Sequence, residues 1–300
     1  MTKIITKNSS TAGAAPSASD LVQGELAVNV TDRKLYTKNS SNAIVALGAD
    51  LASNNPTATD NVTLGANAGA GLTSGTGNTF IGADAAPAVT SSASNTSIGN
   101  DSLLLNVTGA GNTAIGKSAL NKATANFNTG VGYIAGNALT TGVSNTFVGD
   151  SAGSNITTGQ GNVNIGNQSN ASSATVSHEV TLGSSSITAL RCNVQSISAL
   201  SDARDKTNIA DTPYGVDFIN TLQPRQFTWA TREGSPKDGK VEQGFIAQEL
   251  LEAAGVDKNK LNLVYESNPD RLEATAGNLI PILVKAIQEL SARVTELENN

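Results

Sequence analysis

Histidine, cysteine, tryptophan and methionine each occur once in this chain of 300 residues, and aromatics make up only 4% of it. A single histidine, His178, leaves no means of building a histidine-based catalytic triad or a multi-histidine metal cluster within one chain. His178 reads instead as a loop residue. The single cysteine, Cys192, excludes an intramolecular disulfide and reads as a small buried hydrophobe. Basic clusters are absent and the net charge is −6, so nothing offers nucleic acid an electrostatic footprint. No apolar run approaches the length of a membrane span, which excludes membrane insertion by a helix. The segment Met1–Lys7 lacks the apolar stretch of a signal peptide, so a soluble protein made in a cytoplasm is expected. No cofactor and no metal are expected.

Charge itself is scarce over nearly half the chain. Between Leu51 and Val176 only Asp60, Asp84, Asp101, Lys117, Lys122 and Asp150 carry it. The last hundred residues hold eleven of the nineteen Lys/Arg and sixteen of the twenty-five Asp/Glu. Two physical regimes therefore share one chain, with the change at Ser201-Asp202-Ala203-Arg204-Asp205-Lys206.

What fills the low-charge region is a repeat. Glycine recurs at Gly65, Gly82, Gly99, Gly116, Gly132, Gly149, Gly166 and Gly183, a step of 17 residues with one of 16 between Gly116 and Gly132. An aliphatic residue precedes each glycine: Leu64, Ile81, Ile98, Ile115, Val131, Val148, Ile165 and Leu182. Asparagine stands four positions before the glycine in every copy but the last, which has Glu179, and a small residue stands three positions after it. Such phase over eight copies is a solenoid period. Gly and β-branched residues are too dense for helix, so each unit is a short strand ending at a glycine turn, with a polar loop returning the chain. One or two large aliphatics per coil are too few for a single chain to bury an adequate core. Stacking coils and wrapping several chains about one axis would meet the shortage. The Asn-x-x-Ile-Gly-x-x-Ala pattern resembles the heads of trimeric autotransporter adhesins and phage fibre shafts, and that resemblance implies a trimer.

Gly111-Asn-Thr-Ala-Ile-Gly116-Lys117-Ser118 satisfies the phosphate-loop pattern GxxxxGK[ST]. Its glycine, isoleucine and asparagine all fall on the repeat phase, and no helix is expected after it, so the repeat accounts for the match. Ahead of the repeat, Gly24–Val30 alternates apolar and polar residues as a half-buried strand does. Thr31-Asp32 reads as a turn, Arg33–Lys38 as the returning strand and Ala43–Gly48 as a third. The string from Gly24 to Tyr36 resembles N-terminal modules of phage tail-fibre and tropism-determinant proteins, which implies attachment to a virion. A capping module for the solenoid fits the same residues.

Past the seam come Leu222-Gln-Pro-Arg-Gln-Phe-Thr-Trp229, Gly244-Phe-Ile-Ala-Gln-Glu249-Leu, and Leu279-Ile-Pro-Ile-Leu-Val-Lys-Ala-Ile-Gln-Glu-Leu290. Together with the seam, this ordered set resembles the endosialidase-type intramolecular chaperone autoprocessing domain of phage fibres and tailspikes, over about Ser201 to Asn300. The resemblance implies a domain that trimerises, guides folding of the fibre before it, and cuts itself off at the serine. By position, its catalytic dyad falls on Ser201 and Lys206, with Leu200–Ser201 as the scissile bond. Serine is a weak nucleophile that needs an adjacent base, and lysine is a base only when neutral, a state that burial or a nearby cation favours. Ser–Lys pairs are a known variant of this chemistry. Asp202 matches the motif and could orient the site, and Arg204 could pair. Asp205, beside the lysine, could hold it protonated in a salt bridge. Trp229, Phe227 and Phe245 read as core rather than as a binding platform.

The C-terminal run carries Ile280, Ile287 and Val294 on one heptad position and Leu283, Leu290 and Leu297 on the other, and Arg293 and Glu298 have the spacing of an interchain ion pair. β-Branched residues at a with leucine at d lean toward dimers, but three heptads do not outweigh the trimer implied by the rest.

The expected fold is mainly β: an elongated homotrimeric β-solenoid shaft with a small N-terminal β-module and a C-terminal α+β chaperone domain ending in a coiled-coil helix. The expected boundaries are residues 1–50 for the attachment module, 51–60 for a linker, 61–187 for the shaft, 188–200 for the neck and 201–300 for the chaperone, with the coiled coil at 278–300. The expected function is that of a phage virion tail fibre or appendage for host attachment. Its partners would be virion tail or baseplate proteins and a glycan or protein receptor, and its only enzymatic act a single-turnover cut of its own chain. Two alternatives stand beside it. One is a polysaccharide-degrading tailspike with the same chaperone, disfavoured because the shaft lacks paired carboxylates. The other is a bacterial trimeric adhesin, which lacks an export signal.

Overall fold

A computed structural model of the chain describes residues 7–11, 13–30, 34–47, 60–193, 199–232 and 234–299. The chain divides into two compact units, Met1–Gly183 and Ser184–Asn300.

The first unit begins with a four-stranded sheet in the order β1-β2-β3-β4, formed by β1 (Lys7–Ser9), β2 (Leu26–Asn29), β3 (Lys34–Lys38) and β4 (Ile44–Leu47). The three strands expected from alternation are β2, β3 and β4, paired antiparallel. Strand β1 runs parallel to β2 and has no sequence signal, because Lys7-Asn8-Ser9 is polar throughout. The buried Asn29 amide donates to the carbonyls of Thr11 at 2.9 Å and Ala14 at 2.8 Å, pinning the segment that leaves β1. The turn expected at Thr31-Asp32 and most of the linker lie outside the described residues.

The repeat is a parallel β-solenoid. Each copy supplies one three-residue strand: β5 (Val62–Leu64), β6 (Thr79–Ile81), β7 (Thr96–Ile98), β8 (Thr113–Ile115), β9 (Thr129–Val131), β10 (Thr146–Val148), β11 (Val163–Ile165) and β12 (Val180–Leu182). They form one eight-stranded sheet in chain order, in register, so that Ile98 pairs with Ile115 and Ile115 with Val131. Side chains alternate along a strand, so the first and third residues share one face and the middle one takes the other. In β6 to β11 the middle residue is the buried one: Phe80, Ser97, Ala114, Gly130, Phe147 and Asn164. Around them the interior is filled by Val89, Leu103, Leu120, Leu139, Ile156 and the small residues that follow each glycine turn. The in-phase aliphatics are not part of this core; they point outward.

The invariant glycine has a steric cause. Gly99 has φ +135°, and a Cβ there would lie 2.5 Å from the Gly116 carbonyl oxygen of the next coil. Only glycine permits that dihedral together with such close stacking. The residue three places on closes the corner: the N–H of Ala85 donates to the Gly82 carbonyl at 3.3 Å, and the Ala85 side chain is fully buried. The single 16-residue step is absorbed at one corner. Fully buried Ala123 follows Asn106 by 17 residues, whereas Ala125, which backs onto Gly109, follows it by 16.

The in-phase asparagines, read from sequence only as part of the pattern, form a buried ladder. Asn95 Oδ1 accepts from the backbone N–H of Asn112 at 2.9 Å, and Asn95 Nδ2 donates to the Gly109 carbonyl at 3.0 Å. The same pair of bonds recurs from Asn61 to Asn162. Glu179 ends it: its N–H donates to Asn162 Oδ1 at 3.0 Å, while its carboxylate accepts from the Ser172 N–H and hydroxyl at 2.8 and 2.5 Å. Gly116-Lys117-Ser118 is a solenoid corner with no helix after it, so the phosphate-loop pattern has no phosphate-loop structure. His178 sits at a loop position with φ 61° beside Gly161.

Among its described residues the second unit holds two antiparallel strand pairs, β13 (Arg225–Thr228) with β14 (Val241–Gly244) and β15 (Val264–Tyr265) with β16 (Glu273–Ala274). Its helices are α1 (Val216–Ile219), α2 (Ala247–Ala254), α3 (Lys258–Leu261) and α4 (Ile280–Glu298). Leu222, Leu250, Leu261, Leu263, Leu279 and Ile282 make its core, with Phe245 packed against it. Phe227 and Trp229 meet edge to face at 5.4 Å, with the Lys237 ammonium 4.8 Å from the Trp229 ring. Cys192, expected to be buried, is exposed, and the described residues just before it, from Ile187, belong to neither core.

Candidate autocatalytic site

The seam is ordered by its own acidic residue. Asp202 caps a single turn of 3-10 helix, Ala203–Asp205, by accepting the Arg204 N–H at 2.9 Å. Its two oxygens also take the Arg204 guanidinium, Nε at 3.1 Å and an Nη at 2.6 Å. These bonds hold the Asp202 carboxyl below the usual aspartate range, the Arg204 side chain contributing most. Asp202 and Arg204 thus form a clasp with each other.

The turn folds the chain back on itself. Lys206 is the residue that ends it, and its N–H donates to the Ala203 carbonyl at 3.2 Å. Its Nζ then lies 2.6 Å from Ser201 Oγ and 3.3 Å from the Ser201 carbonyl oxygen. Ser201 and Lys206, five positions apart, are thereby in hydrogen-bond contact, the distance a nucleophile–base pair requires. Both are exposed, and Leu200, on the other side of the bond, is 84% exposed. Water has access to this bond. Asp205 makes no salt bridge with Lys206, whose nitrogen is turned to the serine.

A contact the sequence does not announce ties two of the downstream motifs together. Arg225, from the Leu222–Trp229 segment, grips Glu249, from the Gly244–Leu250 segment, through Nε at 3.0 and 3.1 Å and an Nη at 2.7 Å. That pair fixes the strand pair β13–β14 against α2. Glu289 of α4 accepts the Val216 N–H at 2.9 Å and so holds the start of α1. No cluster of His, Cys, Asp or Glu among the described residues could hold a metal ion, and none of the described helices is long and apolar enough to cross a membrane.

Comparison with known proteins meets the chain at this same place. Residues 201–258 match the peptidase S74 family, described as the chaperone of endosialidase. The chain is 45% identical over 60 residues to the long tail fiber protein Gp37 of Enterobacteria phage T2, a stretch that covers 19% of this chain and 4% of that relative. No solved structure matches the chain. The β-solenoid and the matched segment fit a tail fibre with a C-terminal chaperone. Over residues 201–258, the chain is similar to the chaperone of endosialidase.

Proposed function

We propose that this chain is a phage tail-fibre or appendage subunit whose C-terminal part drives its assembly and then releases itself by cleaving Leu200–Ser201. The 2.6 Å contact between Lys206 Nζ and Ser201 Oγ, at the first residue of the matched segment, carries the reading. Lys206, as the neutral amine, takes the hydroxyl proton as Ser201 Oγ attacks the Leu200 carbonyl carbon. The Leu200–Ser201 C–N bond breaks, the proton passes to the leaving Ser201 amine, and an ester links Leu200 to the serine oxygen. Water then hydrolyses the ester to a Leu200 carboxylate and a free Ser201. The cut is made once and acts on no other substrate.

The division of labour follows the seam. The sheet of residues 7–47 would attach the subunit to tail or baseplate proteins, the solenoid would form the shaft that presents a host-binding surface, and residues 201–300 would act as chaperone. Helix α4 supports trimer formation. Ile282 and Ala286 are buried in its own unit, while the expected heptad residues are exposed, Ile287 at 65% and Leu297 at 76%. A helix that packs one face at home and leaves an a/d stripe open is made for other copies of itself. In a denaturing gel of purified protein, wild type should give two fragments and Ser201→Ala and Lys206→Ala one intact chain. Wild type that stays whole after assembling would remove the protease and leave only the chaperone.

A further inference from the structure

The outward face of the solenoid sheet is the largest feature that the assembly reading has not used. The first and third residues of all eight strands lie on it, and every one is Thr, Val, Ile or Leu. Two straight columns result, one mainly of threonine and one wholly aliphatic. With strands about 4.8 Å apart, the columns run for about 34 Å. The aliphatic column includes Ile115 and Val148, each 37% exposed, and Leu182, 54% exposed. A long, uncharged and largely apolar sheet face is the kind of surface that marks an interaction site.

The partner must match a ladder with one aliphatic per coil, repeated eight times with a single spacing. A second copy of this chain, running parallel, carries that same ladder with the same spacing, so each aliphatic meets its own counterpart. The interior of each coil is meanwhile complete without these residues, since Phe80, Leu103, Leu120 and Phe147 are fully buried in a single chain. We infer that the aliphatic column of β5 to β12 is the chain–chain contact of the shaft, with equal-numbered residues of parallel copies facing one another. This rests on the assembly proposed above, and it names a face that α4 does not supply.

Cysteine cross-linking in the full chain tests it. In a Cys192→Ser background, Ile115→Cys should form an interchain disulfide on mild oxidation, and Lys122→Cys, on an exposed corner of the same coil, should not. Oligomer by sedimentation without a link at position 115 would overturn the contact while leaving assembly intact. A monomer by sedimentation would overturn both. Equal linking at the two positions would show no preferred face and also count against it.

Discussion

Asparagine does work in this chain that an aliphatic residue could not do. Each ladder asparagine accepts a backbone N–H from the next coil and donates to a carbonyl of its own. Replacing Asn95 by alanine would strand the buried Asn112 N–H, while the Gly109 carbonyl would keep the Asn106 amide as its donor. With an unsatisfied buried group costing about 1–3 kcal/mol, Asn95→Ala should destabilise the solenoid by about that much, measured by chemical denaturation. Charge acts differently in the other unit. The Arg225 guanidinium holds the Glu249 carboxyl below its ordinary value of 4.5. A carboxyl depressed on folding adds stability that is present above that ordinary value and lost as pH falls through the lowered one. Stability of the second unit should therefore decline below about pH 4.5, and Glu249→Gln should flatten that decline. An unchanged acid profile would show that Arg225 contributes nothing there.

Strands of three residues explain what could and could not be read in advance. Repeat phase, the strand before each glycine and the heptads of α4 are all carried by residues that recur, so they are legible. The solenoid core is carried by the middle residue of each strand, which runs through Thr63, Phe80, Ser97, Ala114, Gly130, Phe147, Asn164 and Thr181 and shows no pattern. The eye is drawn to the aliphatic beside it, which faces out. Strand β1 is invisible for a related reason: its pairing with β2 comes from distant contacts, not from its own side chains. In the site, the Ser–Lys spacing was legible, but the Asp202–Arg204 clasp that folds the turn and the Arg225–Glu249 pair needed coordinates. Helix α4 offers a direct check on its own open face. Leu290→Asp, at an exposed heptad position, should leave the helix folded by circular dichroism and shift sedimentation from trimer to monomer. A trimer that survives would assign assembly to surfaces other than this helix.

The two units divide the labour by composition. A low-charge solenoid with a flat apolar face is a chain that favours association, including association in the wrong register. In the proposed assembly, the charged unit would bring copies together by a parallel helix and so set which residues meet. Once the copies are aligned, the proposed sheet-face contact would hold them, and the unit that aligned them would no longer be needed. The proposed cut would then follow economically, and Ser201 with Lys206 stands at the change of composition, within the early part of the second unit. Intact mass spectrometry of assembled wild-type protein tests this most directly. The account predicts two species, residues 1–200 ending in a Leu200 carboxylate and residues 201–300 beginning with a free Ser201 amine. A single mass corresponding to all 300 residues, or a cut at any other bond, would contradict it.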